Sequence, residues 1–196
     1  MSEVILMTGG ARSGKSLYAE RFAKELGENK VLYIATAAVC DAEMEARVKK
    51  HRAQRPSEWP TLEQFWEFEK LEENQDFVKS EAVLIDCLGF MLNNIMYYSG
   101  IDWESCPAED MQRVEERMLL EVKKLISACR KHGKSLIGVT NEVGMGLVPA
   151  ERSSRYYRDI LGRANRAFAE AADKVIFMVS GIPMQIKPQA TALRVD

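Results

Sequence analysis

The chain has 196 residues, with 27 Lys and Arg against 29 Asp and Glu, a formal net charge of −2. This balance excludes the broad positive field of a general nucleic-acid or membrane-surface binder, and the 46% hydrophobic and 29% charged fractions are those of an ordinary globular protein. At this length roughly 70% of the unfolded surface can be buried, so a core needs neither disulfide nor metal.

The N-terminal run Val4-Ile5-Leu6-Met7 is too short and lacks the basic flank of a secretory signal. No stretch of about 18 apolar residues points to a membrane-spanning helix. The four cysteines, Cys40, Cys87, Cys106 and Cys129, show no two-residue zinc or redox spacing. They suit a reducing cytosol, and Cys87 and Cys129, set among apolar neighbours, read as small core side chains.

Val4 to Thr8 reads as a buried strand ending in Gly9-Gly10. Ser16 to Leu26 has the apolar spacing of a helix, stopped at Gly27. Val31 to Thr36 is the second strand. Asp41 can cap a helix running to about Ala53, with Pro56 beyond its end. Trp59 to Ser80 is mixed and partly helical. Ala82 to Ile85 is a strand ending at Asp86, and a helix follows through Met91, Leu92, Ile95 and Met96. Gly100 to Pro107 is a loop. Ala108 to Lys131 is a long amphipathic helix closed by Gly133. Ser135 to Thr140 is a strand, Arg155 to Ala172 a helix, and Val175 to Val179 a late strand. Alternating strands and helices predict a mostly parallel α/β sheet with helices on both faces. Residues 1–187 are expected to form one nucleotide-binding domain and 188–196 a loose tail.

Gly9-Gly10-Ala11-Arg12-Ser13-Gly14-Lys15-Ser16 has the spacing of a phosphate-binding loop and lies between a strand and a helix. Glycines let successive N–H groups converge on phosphate oxygens, and the helix adds its positive end. Lys15 reaches the β and γ phosphates and the Ser16 hydroxyl coordinates Mg²⁺. Asp86, at a strand terminus, stands where such folds place a Mg²⁺-organising carboxylate; capping the next helix is its structural alternative. His132, beside Gly133, reads as a favourable cation at a helix end. Met44, Val48 and His51 share one helical face, with Arg47, Arg52 and Arg55 around it. Guanidinium groups there can hold a triphosphate while a neutral imidazole attacks it; a solvated basic helix is the simpler reading of the residues alone. Asn141 and Glu142 follow a strand and project toward the ligand edge of the sheet, Glu142 as a base, a substrate contact or plain loop polarity. Arg155, Arg158 and Asp159 lie on neighbouring turns, suited to phosphate contact or pairing between subunits.

Taken in order, Thr8 to Ser16, Tyr33-Ile34-Ala35-Thr36-Ala37, Glu43-Met44 with Arg47 and His51, Arg55-Pro56 with Trp59, Asp86-Cys87-Leu88, Val139 to Gly146 with Pro149, Ser154-Arg155 with Arg158-Asp159, Gly162-Arg163-Ala164-Asn165 and Ser180-Gly181 resemble the bifunctional adenosylcobinamide kinase / adenosylcobinamide-phosphate guanylyltransferase family of cobalamin biosynthesis. The resemblance runs from about Ile5 to Lys187. It implies phosphorylation of adenosylcobinamide with ATP or GTP, then transfer of GMP from GTP through a GMP–histidine intermediate to give adenosylcobinamide-GDP. His51 matches the guanylylated histidine, and Lys15 is the other catalytic residue. Nucleotide contacts carried over by position are Gly9 to Ser16, Ala35-Thr36-Ala37, Arg52-Ala53-Gln54-Arg55, Glu63 and Asp86, with Ser16 and Asp86 on the metal. The resemblance also implies a RecA-like phosphate-loop sheet with one late antiparallel strand, and a homotrimer; the cysteine pattern, the charge balance and the lack of a long apolar run lead to the expectation of a cytoplasmic protein with no nucleic-acid partner and no membrane insertion. Gly89 stands where the family commonly has Thr, and Arg166 where Gln often follows. Two other readings compete: a kinase of another alcohol with no covalent nucleotide adduct, and a nucleotide-binding assembly module that lacks an acceptor.

Overall fold

The computed structural model describes residues 2–37, 52 and 55–188. Seven strands form one sheet: β1 (Val4–Gly9), β2 (Val31–Ala35), β3 (Thr61–Glu63), β4 (Ala82–Asp86), β5 (Ser135–Val139), β6 (Lys174–Val179) and β7 (Ile182–Lys187). Their order is β3-β2-β4-β5-β1-β6-β7. All neighbours are parallel except β6 and β7, which form an antiparallel pair. The phosphate-loop strand β1 is thus separated from the Asp86 strand β4 by β5, the expected RecA-like arrangement with its late antiparallel strand.

The helices are α1 (Lys15–Gly27), α2 (Gln75–Lys79), α3 (Leu88–Tyr98), α4 (Ala108–Lys131) and α5 (Arg152–Ala171), with a 3₁₀ turn at Phe68–Glu73. Strands β1, β2, β4 and β5 are apolar at nearly every position because both their faces are covered. Ile5, Met7, Val31, Leu84 and Ile137 pack under Ala19 and Ala23 of α1. Val4, Leu6, Ile34, Ile85 and Leu136 pack on the other face, beneath Leu88, Leu92, Met118, Leu125, Leu161 and Phe168 of α3, α4 and α5. Each such side chain, fully buried, contributes roughly 1.5–3 kcal/mol. Gly138 in β5 makes room for α5: a Cβ there would meet Phe168 Cζ at 2.5 Å.

Helix α4 spans the expected residues, while α5 begins three residues earlier than its apolar periodicity suggests. The mixed stretch after Trp59 contains a strand that the sequence did not announce, β3, which pairs with β2 from Tyr33↔Thr61 to Ala35↔Glu63. Its three residues carry no period of their own; the exposed edge of β2 recruits them. Within the same stretch, Asn74 caps α2 by accepting from the Asp76 and Phe77 amides at 2.9 Å. The helix expected over Asp41 to Ala53 and the tail beyond Pro188 lie outside the described residues. No described helix is long and apolar enough to cross a membrane.

Candidate active site

The site forms at the carboxyl ends of β1, β4 and β5, where open parallel sheets bind ligands. Gly9 ends β1 with φ 152°, and a Cβ there would be driven into the Met178 carbonyl oxygen of β6. Gly14 takes φ 90° to turn the loop into α1. The loop is held from three sides: Ser13 N–H donates to Gly10 O at 3.3 Å, Glu142 N–H to Gly9 O at 3.0 Å and Gly181 N–H to Ser13 O at 3.1 Å. The remaining amides and the N-terminus of α1 are left for an anion.

Lys15 opens α1, is buried, and donates from Nζ to Gly10 O at 2.7 Å. Burial lowers its pKa, opposed by Cys87 and Asp86. Its ammonium is thus confined beside the loop without a full counter-charge. Ser16 follows in the first turn of α1, half-buried. The Ser13 and Thr8 hydroxyl oxygens are buried with no hydrogen-bond partner among the described residues, as oxygen atoms waiting on a ligand would be.

Asp86 ends β4 and accepts from the Tyr33 hydroxyl through Oδ2 at 3.1 Å. The Arg55 guanidinium lies 3.6 Å from the centroid of the Tyr33 ring, a cation–π contact. The Tyr33 phenol is raised by burial and then by Asp86, so it stays a donor. The Ser16 hydroxyl and the Asp86 carboxylate are hard oxygen donors, the set that Mg²⁺ accepts when phosphates and water complete its shell. The described residues contain no cluster of three or more His, Cys, Asp and Glu that could hold a metal alone; the pair fits a Mg²⁺ that arrives with a nucleotide.

Thr36 is fully buried and its hydroxyl is already committed. It accepts from Cys87 N–H and donates to Cys87 O, both at 2.7 Å, and its carbonyl accepts from Asn94 Nδ2 at 2.6 Å. Its role here is to tie β2 to the β4–α3 turn, at the cis peptide Asp86–Cys87. Ala35 and Ala37 flank it, and Glu63 sits beside Ala35 through the β2–β3 register. Thr36→Val leaves both Cys87 groups without a partner, at about 1–3 kcal/mol each. At roughly 2–4 °C per kcal/mol for a chain of this size, the Tm measured by calorimetry should fall by about 4–24 °C. The Cys87 thiol is pushed up to about 12 by burial and by Asp86, which keeps it an inert core group.

The sequence reading missed Glu20. It is buried on α1, and its carboxyl is raised to about 7 by burial, with Arg55 opposing and Asp86 reinforcing the shift. The folded chain holds this proton more tightly than the unfolded chain. Stability therefore falls as pH rises from about 4.5 to about 7 and is flat above that window. At roughly 1.4 kcal/mol per pH unit the loss is on the order of 3 kcal/mol. Glu20→Gln should remove this slope: its Tm should match that of the wild type at pH 5 and exceed it by several degrees at pH 8 in thermal melts.

Near the start of α3, Gly89 faces Tyr157 of α5: a Cβ at 89 would meet the Tyr157 hydroxyl at 2.8 Å. The missing side chain is thus matched by a phenol reaching across from another helix. Arg52 is exposed and, with Arg55, Trp59 and Thr61, lines a depression of about 260 Å³. The structure therefore brings Asp86 and Arg55 together around Tyr33, with Lys15 within electrostatic reach of Asp86 and Ser16 beside it at the loop–helix junction. His51, Ala53 and Gln54 lie outside the described residues.

The family model for cobinamide kinase / cobinamide phosphate guanyltransferase matches residues 5–186. The chain belongs to this family. It is 43% identical over 185 residues to the bifunctional adenosylcobalamin biosynthesis protein CobU of Escherichia coli, covering 94% of this chain and 99% of that one. CobU of Salmonella typhimurium is 41% identical over the same span and shares. CobP of Pseudomonas aeruginosa, of the same description, is 38% identical over 187 residues, covering 93% and 96% of the two chains. Family membership makes the chain a transferase with kinase and guanylyltransferase activities.

Proposed function

We propose that both reactions of the family run through one triphosphate site built on the loop Gly9 to Ser16. In the first, the hydroxyl oxygen of adenosylcobinamide attacks the γ-phosphorus of ATP or GTP. The bond to the β,γ-bridging oxygen breaks, nucleoside diphosphate leaves, and the hydroxyl proton passes to solvent. In the second, a His51 imidazole nitrogen attacks the α-phosphorus of GTP and pyrophosphate leaves. A phosphate oxygen of adenosylcobinamide phosphate then displaces the histidine from phosphorus, giving adenosylcobinamide-GDP.

The observation that carries this reading is the buried Lys15 ammonium held beside an anion-ready loop and within electrostatic reach of Asp86. The loop amides, Lys15 and the α1 N-terminus hold the triphosphate and receive the charge that develops on it. Ser16 and Asp86 would hold Mg²⁺, which would supply charge neutralisation to the phosphates. Arg52-Ala53-Gln54-Arg55, adjoining His51, Ala35 to Ala37 and Glu63 are taken as further nucleotide contacts. Arg55, four residues after His51 in the chain, stacks on the Tyr33 ring whose hydroxyl bonds Asp86.

We also take the working form to be a cytoplasmic homotrimer. Val179, Ile182 and Met184, on the last two strands, are exposed and apolar, as a self-associating surface would be. Cys87, Cys106 and Cys129 are buried free thiols, in keeping with a reducing compartment.

Incubation with GTP labelled at the α-phosphate, followed by denaturation and peptide mapping, tests the reading. An acid-labile, base-stable label on the His51 peptide supports it. Absence of label with intact acceptor phosphorylation would leave a kinase alone.

A further inference from the structure

Helix α5 carries five arginines, and four of them are engaged. Arg152 donates to Tyr156 Oη and to the Glu104 and Cys106 carbonyls. Arg155 donates to the Pro149 and Ala150 carbonyls. Arg163 pairs with Glu115 at 2.8 Å and Arg166 with Glu170 at 2.9 Å. Arg158 differs. It is half-buried, and its Nη1 is buried with no hydrogen-bond partner among the described residues. A guanidinium nitrogen removed from water and left unbonded is costly unless a ligand completes it.

The position of Arg158 is fixed by its helix. Residues 158, 161 and 165 share one face. Leu161 on that face is buried in the core beneath the sheet. Asn165 accepts from Thr140 Oγ1 at 2.6 Å and donates to the Asn141 carbonyl at 3.0 Å, which clamps α5 to the end of β5. Thr140 N–H in turn donates to Met7 O of β1. Side chains lean toward a helix N-terminus, so Arg158, two turns before Asn165, rises above the carboxyl edge of the sheet at the phosphate-loop strand. It comes from the α5 face, while Lys15 approaches from the α1 face on the other side.

We propose that Arg158 is a catalytic residue of phosphoryl transfer, its guanidinium binding oxygens of the γ-phosphoryl group as that group passes from nucleotide to acceptor hydroxyl. This rests on the kinase half of the function proposed above. In that step the γ-phosphorus loses its bond to the β,γ-bridging oxygen and gains one to the acceptor oxygen, and negative charge spreads over its three other oxygens. Lys15 and the loop amides cover the nucleotide side of that group. Arg158 covers the acceptor side with a planar fork of donors that a lysine does not reproduce.

The test uses the full chain, with ATP, GTP and adenosylcobinamide. Wild-type turnover of the acceptor comes first, since its absence counts against the kinase reading itself and not against Arg158. Given that turnover, Arg158→Ala should lower kcat for phosphorylation by about 10²–10³-fold. Its Kd for a non-hydrolysable GTP analogue should stay within about threefold of wild type, because the residue meets charge that develops in the transition state. Guanidinium ion added to the medium should restore at least about tenfold of the lost rate, as a small cation refilling a truncated site. Arg158→Lys should be impaired nearly as much as Arg158→Ala, and it replaces the alanine variant if that does not fold. The proposal is overturned by kcat within about twofold of wild type, by nucleotide Kd weakened in step with kcat, or by a rate loss that tracks a lowered Tm and does not respond to guanidinium.

Discussion

His51→Ala should abolish guanylyl transfer, by at least about 10⁴-fold, while phosphorylation of the acceptor stays within about threefold of wild type. The asymmetry follows from the chemistry. Under the proposed mechanism, removing the nucleophile deletes the covalent route. The kinase reaction uses the acceptor's own hydroxyl and has no need of the imidazole. Steady-state assays of each half-reaction, run separately with adenosylcobinamide and with its phosphate, measure the split. Equal losses in both would mean that His51 serves the common triphosphate site rather than the second reaction. Full retention of guanylyl transfer would remove His51 from the mechanism.

Lys15→Ala should behave in the opposite way, lowering kcat/KM of both reactions together by about 10²–10³-fold. Lys15 is 6% exposed and held within 2.7 Å of the Gly10 carbonyl, so its loss removes a desolvated charge that water does not replace. The free protein should not suffer. Burial lowers the pKa of this ammonium, which means that its charged form is held at some expense to the fold, and the Tm without ligand should stay equal or rise. The stabilisation expected for the wild type with GTP at one hundred times Kd, about 2.7 kcal/mol, should shrink toward zero in the variant. Melts with and without GTP, paired with kinetics, separate this pattern from simple unfolding.

Much of this site is legible in the residues because strand and ligand edge coincide. Four strands read as mostly apolar runs, and each stops on a group with chemistry: Gly9 on β1, Thr36 after β2, Asp86 on β4, Thr140 after β5. The phosphate loop announces itself because its glycines have backbone reasons that few other residues meet. Tyr33 was lost in its own strand, where an aromatic among Val31, Leu32 and Ile34 looks like core. Its hydroxyl, bonded to Asp86, and the Arg55 guanidinium on its ring distinguish it. Glu20 was lost as one charge on an amphipathic helix, although it stands three and seven residues from Ala23 and Gly27 in the buried row. A carboxylate on the apolar side of a helix that opens at a phosphate loop is a signal that sequence could have supplied. The hydroxyl of Thr36 carries a structural task that no sequence pattern announces, since its pairing with both Cys87 backbone groups forms only in the folded chain.

The two amides that lace the phosphate loop to its neighbours, Glu142 to Gly9 and Gly181 to Ser13, make the loop readable by hydrogen–deuterium exchange. Each amide can exchange only when its strap lets go, so its protection factor reports the free energy of loosening the loop on that side. The Glu142 strap comes from the turn after β5 and the Gly181 strap from the hairpin that joins β6 to β7. A nucleotide that tightens the whole loop slows both, whereas one that engages a single wall slows one. The native backbone thus carries its own pair of isotopic reporters, one for each flank of the triphosphate.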